Sequence, residues 1–405
     1  MRIREINLAS FGPVIRGKIP LKDVNVFFGP NNSGKSMTAR LVYGVSSPES
    51  RYPEYARRYR QMRLRYLEGY RGPALRKPDE RVAWNVMRAV NDEVEQIVTR
   101  GSKICTSIVE TDLGRLRMTL KKERVSELPG RKYSLSYSMP KRFVKWYLKG
   151  HERPGRAAIY IPAARTGTIQ FFSTILYMRN ELLRDIIRSF GGSLAQEVSP
   201  AELRRFLLSL GRFPLYLEDF YDLLLRFLAT GPVSPLETEA RILHYGKFRL
   251  ERTRELPSLA YVDSSGFQTE IEKAGSGVVA SFPILLGMTT VGPGGVLIVE
   301  EPEVHLEPFR QMVLLKLLCE EAIRRKVMLV LTTHSDFVVK KMLGLVTNGT
   351  MKNSQVSLHY FEREPRRFTR VRSLPISRTG EAEQPLFDEA VDALTHDYSG
   401  MVSGR

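Results

Sequence analysis

Val24-Asn-Val-Phe-Phe28, the loop Gly29-Pro30-Asn31-Asn32-Ser33-Gly34-Lys35-Ser36 and the helical run Met37 to Tyr43 form the stretch that decides the fold. An apolar, β-favouring run feeds a glycine loop, and the loop opens a helix. The loop fits G-x-x-x-x-G-K-[ST] at every fixed position, in the strand-loop-helix context that the pattern needs. Gly29 and Gly34 let the backbone wrap a phosphate, so that successive N–H groups and the positive end of the helix point at it. Lys35 adds a point charge for β- and γ-phosphates, and Ser36 offers a hydroxyl to a bridging Mg²⁺. Residues Gly29 to Met37 are therefore the expected phosphate-holding set.

A second constellation lies downstream, Val296-Leu-Ile-Val-Glu-Glu-Pro-Glu-Val-His-Leu-Glu-Pro308. Four apolar residues followed by two carboxylates place Glu300 and Glu301 at the C-terminal end of a buried strand, where ligands bind in open α/β sheets. In P-loop enzymes the first such acid holds Mg²⁺, directly or through water, and the second polarises the attacking water, and these are the roles expected of Glu300 and Glu301. A third strand, Val327 to Leu331, runs into Thr332-Thr-His-Ser-Asp336 and a helical pattern over Phe337 to Leu343. This puts His334 at a third strand end with Ser335 as a candidate helix cap.

Further strands read at Ile3 to Leu8 and Val14 to Leu21. The chain of 405 residues carries 62 Lys+Arg against 44 Asp+Glu, a net charge of +18, with 42% hydrophobic residues. That composition excludes wholesale disorder and predicts a strong positive field. Cys105 and Cys319 form no CxxC pair, which excludes a disulfide scaffold, disfavours structural zinc and points to a reducing compartment, the cytoplasm. Charges at Arg2, Arg4 and Glu5 interrupt what would be a signal peptide. Val278 to Val299 carries no charge and is long enough to span a bilayer. Pro283 and Gly292-Pro-Gly-Gly295 instead divide it into a short helix, a turn and the strand Val296 to Val299, so no membrane span is expected.

The three stations, in this order, resemble the heads of ABC-class ATPases. The resemblance is greatest to the SMC-like, RecF-like group that contains the ATPase part of the overcoming-lysogenisation-defect nucleases. It rests on Gly29 to Ser36 as Walker A, Leu297 to Pro308 as Walker B with its D-loop, Thr332 to Asp336 as the His switch, and Ala158-Ile-Tyr-Ile-Pro-Ala-Ala-Arg165 as the family's I-P-A-x-R turn. It implies a P-loop α/β fold of ABC-ATPase type, a mixed sheet with an antiparallel β layer and helical insertions, using ATP and Mg²⁺. It further implies catalytic roles for Glu301 and His334, with Ser36 and Glu300 at the metal. Heads of this class dimerise around ATP, each giving the other a signature loop. The candidate is Lys273-Ala-Gly-Ser-Gly-Val278, in which Gly275, Ser276 and Gly277 would meet the nucleotide, with glycine where the family has its first serine. Glu300 also departs from the aspartate of many relatives.

The expected organisation is a core in pieces: 1–44 with Walker A, 157–170 as a core strand, and 236–405 with the signature-like loop, Walker B, His switch and terminal strands. A basic helical and hairpin insertion occupies 45–156 and a helical insertion 171–235. Arg51 to Arg81 holds ten basic residues, four acids and five tyrosines, a pattern that suits either nucleic acid or a solvated helical face. Lys141 to Lys149 repeats the pattern more weakly. A hairpin reads over Ile104 to Val109 and Leu116 to Leu120, with a possible strand at Lys132 to Met139 and later strands near Ser357 to Phe361 and Arg370 to Leu374. Neither insertion is long enough for a coiled-coil arm, and the 71 residues after His334 leave no room for a full TOPRIM nuclease domain. The expectation is an ATP hydrolase that forms a head-to-head homodimer and couples its cycle to DNA or to a nuclease or effector subunit. The alternatives are a slow nucleotide-gated scaffold controlling a separate nuclease or toxin, and a transporter motor subunit.

Overall fold

The computed structural model of the chain describes residues 1–48, 78–91, 94–122, 133–149, 156–170, 215–230, 246–251, 258–363 and 368–383. Walker A sits between β3 (Val24–Phe28) and α1 (Lys35–Ser46), as the strand-loop-helix reading requires. β3 is flanked by β12 (Met328–Thr333) and β13 (Val356–Arg363), with β11 (Val291–Glu300) beyond β12 and β7 (Arg156–Ile161) beyond β11. All of these neighbours pair in parallel.

The same sheet continues through β14 (Thr369–Leu374), antiparallel to β13, into an antiparallel layer. That layer consists of β1 (Ile3–Phe11), β2 (Val14–Pro20), β4 (Ile104–Thr111), β5 (Gly114–Lys122) and β6 (Tyr133–Ser138). The full order is β6-β5-β4-β1-β2-β14-β13-β3-β12-β11-β7, and a separate small sheet joins β8 (Lys247–Glu251), β9 (Ser258–Val262) and β10 (Gln268–Glu270).

The remaining described helices are α2 (Pro78–Val90), α3 (Lys141–Lys149), α4 (Arg165–Gln170), α5 (Leu215–Thr230), α6 (Ser276–Thr290), α7 (Pro308–Arg325) and α8 (Asp336–Thr347). Period-two alternation gives the parallel strands two buried faces. Val24, Val26, Phe28, Leu297, Val299, Leu329 and Leu331 pack with Leu285 of α6, Leu318 of α7 and Met342 of α8. Phe27, Val296, Ile298 and Val330 pack on the other side with Leu41 and Val42 of α1, Val86 of α2 and Phe143 of α3. Strands covered on both sides hold their C-terminal ends in a fixed frame, and the chemistry is mounted there.

The charge-free stretch near residue 280 differs in detail from its sequence reading. α6 runs through Pro283 to Thr290 without a break, and β11 already begins at Val291. The glycines at 292, 294 and 295 make an irregularity inside that strand, where its register with β7 shifts between Val291 and Val296. No helix among the described residues is long and apolar enough to cross a membrane.

Candidate functional site

Because β12 lies between β3 and β11, the loops leaving all three strands converge at one end of the sheet. The register is tight. Thr332 stands opposite Phe27 on one side and Glu300 on the other, so the second and third stations meet the first at one level.

The phosphate loop is built for an anion. Gly29 adopts φ 142°, and a Cβ there would lie 2.6 Å from the Phe361 carbonyl oxygen. Gly34 adopts φ 97°, and a Cβ there would lie 2.9 Å from Pro13 and Val14 in the β1–β2 turn, so both positions need glycine. Gly34 is also the N-cap of α1, where no side chain caps the helix and no acid occupies the first turn. The amides that open α1 therefore remain available to a ligand. Lys35 is buried and turns its ammonium back into the loop, donating to Gly29 O at 2.9 Å and Pro30 O at 2.7 Å. Burial pulls Lys35 down to about 8, with Glu301, Glu303 and Glu300 pushing the other way. The Ser36 hydroxyl has no hydrogen-bond partner among the described residues.

Glu301 is held in the left-handed region at φ 45°, and its N–H donates to Thr332 O at 2.8 Å. A non-glycine residue in that conformation costs about 1–3 kcal/mol, and such residues cluster at functional sites. The turn brings Glu301 Oε1 to 3.2 Å from His334 Nε2. The other ring nitrogen, Nδ1, lies 3.0 Å from Gly29 O and 3.3 Å from Lys35 Nζ. One imidazole thus bridges the phosphate loop and the second carboxylate. Its hydrogen bond, ahead of the charges of His334, Lys35 and Arg165, holds the Glu301 carboxyl below the ordinary range against the opposing pull of burial.

Glu300 is only 5% exposed and is oriented from three sides. Tyr160 Oη donates to Oε1 at 2.5 Å, the Ala163 N–H donates to Oε2 at 3.1 Å, and Arg40 Nη2 lies 3.9 Å from Oε1. Arg40 itself stacks 4.3 Å over the Tyr216 ring. A carboxylate has about four acceptor sites, so two donors leave capacity for a cation. Ser36 and Glu300 each carry a hard oxygen of the kind Mg²⁺ takes alongside phosphates and waters. Glu303, two residues past Glu301, accepts from Thr333 Oγ1, and burial raises its carboxyl above the ordinary range.

The structure brings Gly29 to Met37, Glu300, Glu301 and His334 together. It does not bring Gly275-Ser276-Gly277 to the phosphate loop by any hydrogen bond among the described residues. That loop opens α6, with Gly275 as N-cap and both Gly275 and Ser276 exposed. Ser335 does occupy the N-cap of α8, but its side chain makes no capping bond; instead its N–H donates to Thr333 Oγ1 at 2.9 Å. Within 51–81, the stretch 51–77 lies outside the described residues. The aromatic residues of 141–149 offer no stacking platform, since Phe143, Trp146 and Tyr147 are buried in the core, leaving Lys141, Arg142 and Lys145 exposed. Tyr160, Arg165, Arg40, Glu303 and Thr333 were not singled out as site residues from sequence. Arg165 did stand in the I-P-A-x-R turn and Tyr160 in the strand that leads into it.

A family profile described as "AAA domain, putative AbiEii toxin, Type IV TA system" matches residues 121–340, just over half of the chain. No curated protein matches. Among solved structures, the chain is similar to the SMC head domain from Thermotoga maritima at 12% identity and TM-score 0.43, covering 93% of this chain and 100% of that one. It is also similar to the Smc head with an extended coiled coil bound to the C-terminal domain of ScpA, derived from Pyrococcus furiosus, at 13% identity and TM-score 0.44, covering 98% and 99%. A third match is the SmcHead bound to the C-winged helix domain of ScpA, at 12% identity and TM-score 0.47, covering 93% and 99%. On the extent of the profile match, and with a P-loop α/β architecture around it, the chain belongs to this AAA-domain family.

Proposed function

We propose that the protein is a Mg²⁺-dependent ATP hydrolase of ABC/SMC-like type, akin to the overcoming-lysogenisation-defect group, that dimerises head to head on ATP. The observation that carries this reading is the His334 bridge, 3.0 Å from Gly29 O and 3.2 Å from Glu301. It links the place where a γ-phosphate would be held to the carboxylate that would activate water. In this reading the amides of Gly29 to Met37 and the Lys35 ammonium bind the triphosphate. Ser36 and Glu300 hold Mg²⁺, which neutralises phosphate charge when bound. Glu301 orients and polarises the water, and His334 fixes Glu301 against the loop. Phosphoryl transfer asks for positioning and charge stabilisation more than covalent chemistry, and these residues supply both. The Gly275-Ser276-Gly277 loop, with Gly275 and Ser276 exposed, is the surface a second head would engage.

Coupling to nucleic acid is the finer part of the proposal, and the solvent face of the antiparallel layer supports it. On β2, Arg16 and Lys18 are exposed, and Arg370 of β14 stands directly beside Arg16. Following the register from Lys18 through Asn7 and Ile108 leads to Arg117 on β5, and Lys121 is exposed on the same strand. Three strand spacings separate the two cationic clusters, about 14 Å at the usual inter-strand distance. That is close to the roughly 12 Å of a duplex major groove, so each cluster can meet one phosphate backbone. Lys18 pairs with Glu5 at 3.4 Å. Arg16, Arg117 and Lys121 have no acidic partner among the described residues. The β1–β2 turn of this layer packs on Gly34, which ties the layer to the phosphate loop.

A second reading, a slow nucleotide-gated scaffold controlling a toxin or nuclease, draws on the toxin–antitoxin wording of the family description. Phosphate release from ATP, measured with and without duplex DNA, decides between them. The ATPase reading expects Mg²⁺-dependent release that DNA stimulates and that Glu301→Gln stops. DNA-insensitive release at the limit of detection favours the scaffold.

A further inference from the structure

Arg165 is the largest fully buried side chain in the described structure. Nothing in the proposed hydrolysis uses it directly. Its guanidinium is spread over three segments of backbone. Nε donates to Ala280 O of α6 at 2.8 Å, and Nη1 donates to Glu300 O at 2.7 Å and to its own Pro162 O at 3.3 Å. Nη2 donates to Glu301 O at 2.9 Å. Both consecutive carbonyls of the carboxylate pair are therefore held by one rigid planar group. Burial lowers Arg165 to about 10, and the nearby Glu303, Glu301 and Glu300 oppose that shift.

The geometry points to Arg165 as the positioning residue of the Glu300–Glu301 pair, fixing the backbone turn that aims both carboxylates and joining it to α6, the helix that opens with the signature-like loop. Glu301 sits in a conformation that an L-residue adopts only when its surroundings impose it. Its N–H is fixed by Thr332 O, and its C=O accepts both from Arg165 Nη2 and from the Val304 N–H at 3.1 Å, so the peptide units on both sides of the residue are pinned. The guanidinium fork is what makes this possible. A lysine ammonium at the same place has no rigid plane with which to reach Ala280 O, Glu300 O and Glu301 O together. Without Arg165 the Glu301 carbonyl keeps only the local Val304 N–H and the Glu300 carbonyl loses its tie to α6, so the turn can relax out of the left-handed region and the Glu301 carboxylate then leaves His334. Arg165 reaches neither the phosphate loop nor His334 by any hydrogen bond, so it acts through the carboxylates.

This inference rests on the reading of Glu301 as the water-activating group, and the test separates the two. Turnover and ATP affinity are measured on the full chain for Arg165→Met, Arg165→Lys, Glu301→Gln and the double variant Arg165→Met/Glu301→Gln. Misplacement of a reacting group by about an ångström costs on the order of 100-fold in rate, so both Arg165 variants should lose about that much in kcat. ATP affinity should stay within about threefold, because the phosphate loop is untouched. In the Glu301→Gln background, adding Arg165→Met should lower the residual rate by less than about twofold, since a group acting through Glu301 has nothing left to position. If Arg165→Met does not fold, Arg165→Lys in the same background answers the same question. Wild-type kcat in either Arg165 variant alongside an inactive Glu301→Gln overturns the positioning role. So does an additive loss in the double variant, which a purely structural residue would give. Wild-type turnover in Glu301→Gln instead overturns the reading beneath it.

Discussion

The two halves of the large sheet handle the same alternation of side chains in opposite ways. In the parallel half, every residue of β3 and of β12 is buried, and helices cover both faces. In the antiparallel half, β2 and β5 bury one face, with Ile19, Leu116 and Met118, and give the other to Arg16, Lys18 and Arg117. A strand covered twice can present function only at its tip, so the parallel half carries its chemistry on the loops after β3, β11 and β12. A strand covered once can present function along its length. The antiparallel half thus offers an exposed basic face; it joins the parallel half through the pairing of β14 with β2, and its β1–β2 turn packs against Gly34.

The largest effect is expected at Lys35. Lys35→Ala removes the loop's side-chain cation, and turnover should fall by about 10²–10³-fold or more, the scale of removing one preorganised electrostatic donor. Steady-state phosphate release checks it, and wild-type release would remove the phosphate loop from the mechanism. Next in size is Tyr160→Phe, which takes one donor from Glu300. Partners of metal-holding carboxylates are worth about 10–100-fold in metal affinity, so the Mg²⁺ concentration giving half-maximal turnover should rise by at least about tenfold. An unchanged Mg²⁺ titration would mean that Glu300 does not hold the ion.

The antiparallel half should respond differently. Arg16→Ser/Arg117→Ser should leave ATP turnover without DNA within about twofold, as surface changes do. It should also flatten the slope of log affinity for duplex DNA against log salt by roughly 1.8, because two phosphates are no longer neutralised. If the slope is unchanged, the basic face is only a solvated surface. The smallest effect concerns pH. Because Lys35 sits near 8 in the folded chain and well above that when unfolded, the unfolded state binds the extra proton between about 8 and 10.5. The Lys35 contribution to stability therefore rises with pH across that window and is lost as pH falls through about 8. ATP affinity runs the other way, weakening by a few-fold between pH 7 and 9 as the ammonium neutralises, and Lys35→Arg should abolish that dependence.

What the sequence revealed and what it hid divide along the same line. Walker A, the Glu300–Glu301 pair and His334 were legible because each is a local pattern, an apolar strand ending in polar residues. The hairpin of β4 and β5 was legible from alternation and from the turn at Asp112–Leu113. Strand order was not. Only the placement of β12 between β3 and β11 lets His334 reach Gly29 and Glu301 at once. Only the placement of β7 beside β11 brings Tyr160 and Arg165 to Glu300, more than 130 positions away in the chain. The residues of 141–149 left two readings open for a related reason. A basic-aromatic pattern is the same on an amphipathic helix that buries Phe143 and Trp146 as on a stacking surface, and only packing separates the two. Ser335 occupies a capping position, yet its neighbour Thr333 is the side chain that accepts the local N–H.

In the proposed reading, hydrolysis depends on Glu301. The direct measurement is release of inorganic phosphate from ATP and Mg²⁺ by the full chain and by Glu301→Gln, with bound nucleotide quantified in the same samples. Glu301→Gln should bind ATP as well as the wild type while phosphate release falls by about 10²–10⁴-fold, the usual contribution of a positioned general base. Equal phosphate release by the two proteins at equal nucleotide occupancy would contradict that reading.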